Sequence, residues 1–151
     1  MNRNNEMLTQ LQRYYALWKE CNDVYEEWAR AQGLSVNSLW VLYSCYDDSR
    51  LCTQKTISQT WNIPKQTVNT ILKDFSERGL VEMTSIPEDK RNKQLRLTPA
   101  GNAFADEVIG KLRARELYVL EKMGLEGITD MNDQLMLFIR LFSEGGLTED
   151  E

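Results

Sequence analysis

Apolar positions along this chain recur mostly at helical spacing, interrupted by one strand-like stretch. Residues 6–31 carry Leu8, Leu11, Tyr15, Trp18, Val24, Tyr25 and Trp28, which predicts one long amphipathic helix ending near Gly33. Ser35 is a suitable N-cap for a second helix over Val36–Tyr46, with Leu39, Trp40, Leu42 and Tyr43 turned inward. A polar break, Asp47–Arg50, follows. Thr53 then caps a short third helix in which Ile57 and Trp61 lie one turn apart. Pro64 suits the first position of a fourth helix, whose stripe is Val68, Ile71, Leu72 and Phe75. Gly79 stands where a left-handed C-cap closes such a helix.

The pattern changes after Gly79. Leu80–Met83 and Gln94–Leu97 read as short strands, and SIPEDKRNK between them is rich in turn formers. This predicts a β-hairpin with a charged tip. Thr98 and Pro99 cap a fifth helix carrying Phe104, Val108 and Leu112, continued on a shifted face by Leu117, Leu120 and Met123. Gly124 and Gly127 are expected to break it. Thr129–Asp130 then start a last helix that packs Leu135, Phe138, Ile139 and Phe142 inward before Gly145–Gly146.

The residue before a proline is driven out of helical geometry, so the chain turns at Ile63. Helix, short turn, helix is the helix-turn-helix arrangement. Its second helix turns Gln66, Asn69, Thr70 and Lys73 away from the apolar stripe, and such side chains read base edges. In the hairpin, Lys90, Arg91 and Lys93 are placed to meet phosphates or a narrow minor groove. The expected fold class is mainly α with a small β-hairpin wing: a winged helix-turn-helix with long terminal helices. Residues 1–34 form the N-terminal dimerisation helix, 35–98 the DNA-binding lobe and 99–151 the C-terminal dimerisation helices. The terminal helices carry more apolar surface than a core of this size requires, and a second copy is the simplest use for it.

Charge sharpens this picture. The net charge of −5 is wrong for a nucleic-acid binder taken whole, yet residues 53–97 carry eight cations against five anions. A basic middle between acidic ends confines DNA affinity to the middle. The chain has no histidine, and Cys21, Cys45 and Cys52 lack metal-ligand spacing. No metal, cofactor or catalytic constellation is therefore expected. With no apolar run long enough for a bilayer and no signal peptide, a cytoplasmic protein with reduced thiols is expected.

TVNTILKDFSERGLVE (67–82) and PEDKRNKQLRLTPAG (87–101), in this element order, resemble the MarR (multiple antibiotic resistance regulator) family. The resemblance covers essentially the whole chain. It implies a homodimer joined through its terminal helices, with each recognition helix in a major groove and each wing tip in the flanking minor groove. The operator is then a pseudo-palindrome of double-stranded DNA. Lys65, Gln66, Asn69 and Thr70 fall at recognition positions. Asp89 matches the residue that shapes the wing, and Arg91 the one placed in the minor groove. The family also implies an effector that shifts the spacing of the two lobes, most often releasing a repressor. Trp18, Trp40 and Tyr43 are the candidates for lining its crevice, with core packing as their other use.

Three positions depart from the family pattern. Thr70 stands where many members carry a larger basic residue, Met83 where an Arg commonly begins the wing, and Pro64 in place of a Ser/Thr/Asp-like opening. Fewer cations on the reading helix imply a shallower salt dependence. Two other readings stay open. One is a thiol switch at Cys21, which needs a stabilised thiolate. The other is a winged helix that binds only protein.

Overall fold

The computed structural model describes residues 2–46 and 51–146. The expected break at Asp47–Arg50 lies outside the described residues. The chain divides into two compact units, Met1–Val108 and Ile109–Glu151.

The first unit begins with α1 (Arg3–Ala31). This helix starts earlier than the apolar pattern suggests, because the Asn2 side chain accepts the Asn4 N–H and caps it. Next come α2 (Val36–Tyr46), α3 (Gln54–Trp61) and α4 (Lys65–Glu77). Ser35 Oγ accepts the Ser38 N–H at the head of α2. Thr53 and Thr56 form a reciprocal capping box at the head of α3, and Thr53 is fully buried. Leu39, Val41, Leu42, Ile57, Ile63, Val68, Leu72 and Phe75 build the core of this lobe. Each such side chain contributes about 1.5–3 kcal/mol on burial.

Between α3 and α4 the chain turns at Asn62, the one non-glycine residue with positive φ among those described (+52°). Asparagine tolerates this left-handed geometry. Ser58 Oγ donates to the Ile63 carbonyl at 2.6 Å, and Gln54 Nε2 to the Lys65 carbonyl at 2.9 Å. The turn is thus held from both sides. Pro64 sits one place earlier than expected, as the N-cap itself. Gly79, at φ +69°, follows the C-cap Arg78.

The hairpin is longer than the apolar pattern indicates. Strand β1 runs Val81–Ile86 and β2 runs Asp89–Leu97, antiparallel, so only Pro87 and Glu88 remain as the turn. Much of the expected SIPEDKRNK loop is strand. Ladder pairing needs no apolar side chains, and these residues are mostly exposed, so no alternation marked them. At the root, Leu95 N–H donates to the Cys52 carbonyl at 2.8 Å, and Thr53 bridges to Gln94.

Helix α5 (Pro99–Met123) runs from this unit into the second. Thr98 Oγ1 accepts the Gly101 N–H and donates to the Gly79 carbonyl, while Thr98 N–H donates to the Leu80 carbonyl. Tyr46 donates its hydroxyl proton to Asp106 at 2.7 Å, tying α2 to the start of α5. Arg78 lies over the rings of Phe75 and Phe104 and pairs with Asp74.

The second unit holds the rest of α5 and α6 (Leu125–Glu144). Gly124, at φ +83°, makes the break by itself. Gly127 and Thr129 lie inside α6, contrary to the expected start at Thr129. The Thr129 hydroxyl donates to the Leu125 carbonyl one turn back, which satisfies it without a cap. Gly145 ends the helix at φ +79°. The expected inward stripe of Leu135, Phe138, Ile139 and Phe142 is exposed in the single chain, Phe142 to 79%. The helical spacing was legible, but one chain offers this stripe no cover.

Candidate nucleic-acid interface

The exposed face of α4 follows from the burial of the opposite one. With Val68, Leu72 and Phe75 in the core, Lys65, Gln66, Asn69, Thr70 and Lys73 are all left exposed. They form one polar surface. Thr70 is partly committed, because its hydroxyl donates to the Gln66 carbonyl at 3.0 Å. Lys65, Gln66, Asn69 and Lys73 supply the remaining donors and acceptors of this face.

The second basic group is on the wing. In the ladder Ser85 pairs with Lys93 and Ile86 with Asp89, so Lys90, Arg91 and Asn92 have no opposite number. They form a bulge. Asp89 Oδ1 accepts the Arg91 N–H at 3.2 Å across its neck. Lys90, Arg91 and Lys93 are exposed there, a concentration of positive charge at the far end of the hairpin. Helix face and wing tip are both parts of the first unit.

The aromatic residues divide differently. Trp40 and Trp61 stack with ring centroids 4.5 Å apart, and Tyr43 meets both edge-on. Tyr25 adds a tilted contact to Trp40. Trp61 Nε1 donates to Ser44 Oγ at 2.7 Å. Trp18, on α1 and 65% exposed, is outside this cluster. A cavity of about 360 Å³ opens beside Tyr43 and Trp61, walled also by Leu51, Cys52 and Ile57. Its described lining carries no charged side chain. Trp61 was missed as a wall residue, since its meeting with Trp40 across 21 positions leaves no periodic signal.

Cys21 is exposed on α1, where the neighbouring Lys19 is paired with Asp23 at 2.8 Å. Cys45 and Cys52 are buried, with their sulfurs 3.8 Å apart. This pair was also missed. Among the described residues no group of three or more Cys, Asp or Glu is placed to hold a metal ion, and no helix is long and apolar enough to cross a membrane.

Three helices closed by a two-stranded hairpin, with a polar second helix and a basic wing tip, define a winged helix-turn-helix protein. Residues 32–92 match the model of the MarR family. A MarR family regulator from Neisseria meningitidis has 27% sequence identity, a TM-score of 0.71, and coverage of 95% of this chain and 96% of its own. The Staphylococcus aureus MepR–DNA complex shares the fold at 16% identity and TM-score 0.69, covering 84% of this chain and 96% of that one. The likeness to the MarR family thus rests on residues 32–92 for sequence and on most of the chain for fold. The HTH-type transcriptional regulator Hpr of Bacillus licheniformis is 29% identical over 89 residues, 57% of this chain and 41% of Hpr. The chain therefore spans about two fifths of the length of the curated relative it matches.

Proposed function

We propose that this protein is a dimeric, sequence-specific DNA-binding transcriptional regulator, acting as a repressor that a small-molecule effector releases. The observation that carries the reading is the pairing, in one compact unit, of the exposed Gln66–Asn69–Lys73 face with a wing tip holding Lys90, Arg91 and Lys93. The first supplies groups for base edges and the second for phosphates or the minor groove. The DNA-bound MepR structure and the naming of Hpr as a transcriptional regulator point the same way. The task is binding, not catalysis.

Dimerisation is supported by the uncovered apolar stripes of α1 and α6, on residues 1–34 and 99–151. Two lobes then read a pseudo-palindrome with half-sites about one helical turn apart. An effector that binds the DNA-incompetent spacing more tightly shifts the population away from DNA. The uncharged cavity beside Tyr43, with Trp40 stacked behind Trp61, suits a small uncharged ligand.

The test is anisotropy titration of a labelled duplex from the gene's own promoter at two salt concentrations, with wild type and Arg91→Ala in parallel. Tight, salt-sensitive binding that the substitution weakens, with the salt slope reduced by about 1, is expected. Equal binding of promoter and random duplex, followed by failure of a genome-wide DNA selection, would leave a protein-binding winged helix instead.

A further inference from the structure

Thr70 differs in kind from its neighbours on the exposed face of α4. Lys65, Gln66, Asn69 and Lys73 end in ammonium or amide groups, whereas Thr70 ends in a hydroxyl and a methyl. The hydroxyl is already committed, because it donates its proton to the Gln66 carbonyl one turn back, at 3.0 Å. A phosphate oxygen can only accept hydrogen bonds, and so can guanine N7 and O6, adenine N7 and thymine O4. While the bond to Gln66 holds, Thr70 has no proton for any of them.

The same bond fixes where the two ends of the side chain lie. Donation to a carbonyl of the preceding turn holds Oγ1 down against the helix backbone. Staggering about the Cα–Cβ bond then directs the methyl to a different side. Thr70 is exposed with this bond in place, so its methyl is the part left to meet whatever covers α4.

The flanking side chains narrow the contact further. Asp74 follows one turn later on the same flank, exposed and 3.4 Å from Arg78. A carboxylate there disfavours the approach of a phosphate to this side of α4. Gln66 lies one turn before Thr70 and Asn69 adjoins it, and the amides of both match the N6–N7 edge of adenine. Thr70 thus stands among groups suited to A·T pairs. The one apolar group that a base pair presents in the major groove is the C5 methyl of thymine.

We infer that Thr70 is a specificity-determining residue, which selects one thymine in each half-site by packing its Cγ2 methyl on the thymine C5 methyl. The inference rests on the DNA-binding reading above and names the base that one side chain of that face recognises. The contact takes two methyls out of water and involves no charge. It separates thymine from cytosine, which offers an amino group and no methyl at the same edge.

A duplex is first enriched from a random library by the full chain. Each thymine of the enriched site is then replaced by deoxyuridine, which removes only the C5 methyl, with symmetry-related positions changed together. Anisotropy titrations compare wild type with Thr70→Ser, which keeps the hydroxyl, and Thr70→Val, which keeps the methyl. At one thymine position wild type should lose about fourfold in affinity for each half-site, the effect of one methyl returned to water. Thr70→Ser should show that same loss on the unmodified duplex and no further loss on the deoxyuridine duplex. Thr70→Val should keep the wild-type sensitivity. Equal sensitivity of wild type and Thr70→Ser, or indifference of Thr70→Val to the methyl, would overturn the inference. The scan on wild type decides by itself if a variant folds poorly, since an enriched site at which no thymine methyl matters would also overturn it and leave the regulator reading standing. Failure to enrich any sequence would overturn the regulator reading and this inference with it.

Discussion

Gly101 lies directly against the backbone of Leu80. A Cβ built on it would fall 1.9 Å from the Leu80 carbonyl oxygen, an atom that accepts the Thr98 N–H and cannot swing aside. The first turn of α5 is thereby seated on the root of the wing. Gly101→Ala should destabilise the protein by about 1–3 kcal/mol, lowering Tm by about 2–4 °C for each kcal/mol. Thermal unfolding by circular dichroism checks it. An unchanged Tm would mean the contact relaxes without cost.

Thr53 serves as helix cap and bridge partner while fully buried. Thr53→Ala removes the hydroxyl that accepts the Thr56 N–H and should cost about 0.5–2 kcal/mol. Thr53→Ser keeps the oxygen and should recover most of that loss. Urea unfolding of the three proteins side by side distinguishes a cap from a space filler, for which Ser would be nearly as poor as Ala.

Asn69 stands at the centre of the exposed face of α4. If it reads a base, Asn69→Ala should cost about 1–3 kcal/mol on the specific operator and relax preference at one position. Affinity for random duplex should hardly move, because no charge is lost. Competition binding against single-base operator variants is the measurement. A uniform loss on every duplex would assign Asn69 to the backbone.

The stripe on α6 makes the proposed dimer testable without disturbing the single-chain core. Phe142 is 79% exposed and stacks only loosely on Phe138, with ring centroids 6.2 Å apart. Phe142→Asp should leave helicity intact while sedimentation velocity shifts toward monomer at micromolar concentration. Binding to a full operator should then fall toward that of one half-site. An unshifted dimer would move the interface away from this end of α6.

Most elements were legible because local chemistry marked their ends. Ser35, Thr53 and Thr98 announce helix starts, and Gly79, Gly124 and Gly145 sit at positive φ where helices stop. The stripe from Val68 to Phe75 determined which side of α4 stays exposed, so the polar face could be read from spacing alone. Gly127 misled because a glycine on an exposed helical face costs only about 1 kcal/mol against alanine. The extra length of β1 and β2 was hidden because backbone pairing leaves no trace in side chains exposed on both faces. Contacts between distant segments were least legible: Trp40 on Trp61, and Cys45 beside Cys52 across a helix end. No periodicity encodes those.

The wing is a cantilever. Leu95 and Thr98 clamp its inner end to Cys52 and Leu80, and the Thr98 hydroxyl ties the same end to Gly79. Beyond Ser85 the regular ladder stops. Bending under load concentrates where restraints are fewest, so a force on Arg91 deflects the outer few residues and leaves the clamp and the end of α4 in place. On the proposed DNA-binding role, a tip built this way would accommodate variation in groove width at one end of a site while the register set by α4 stays fixed.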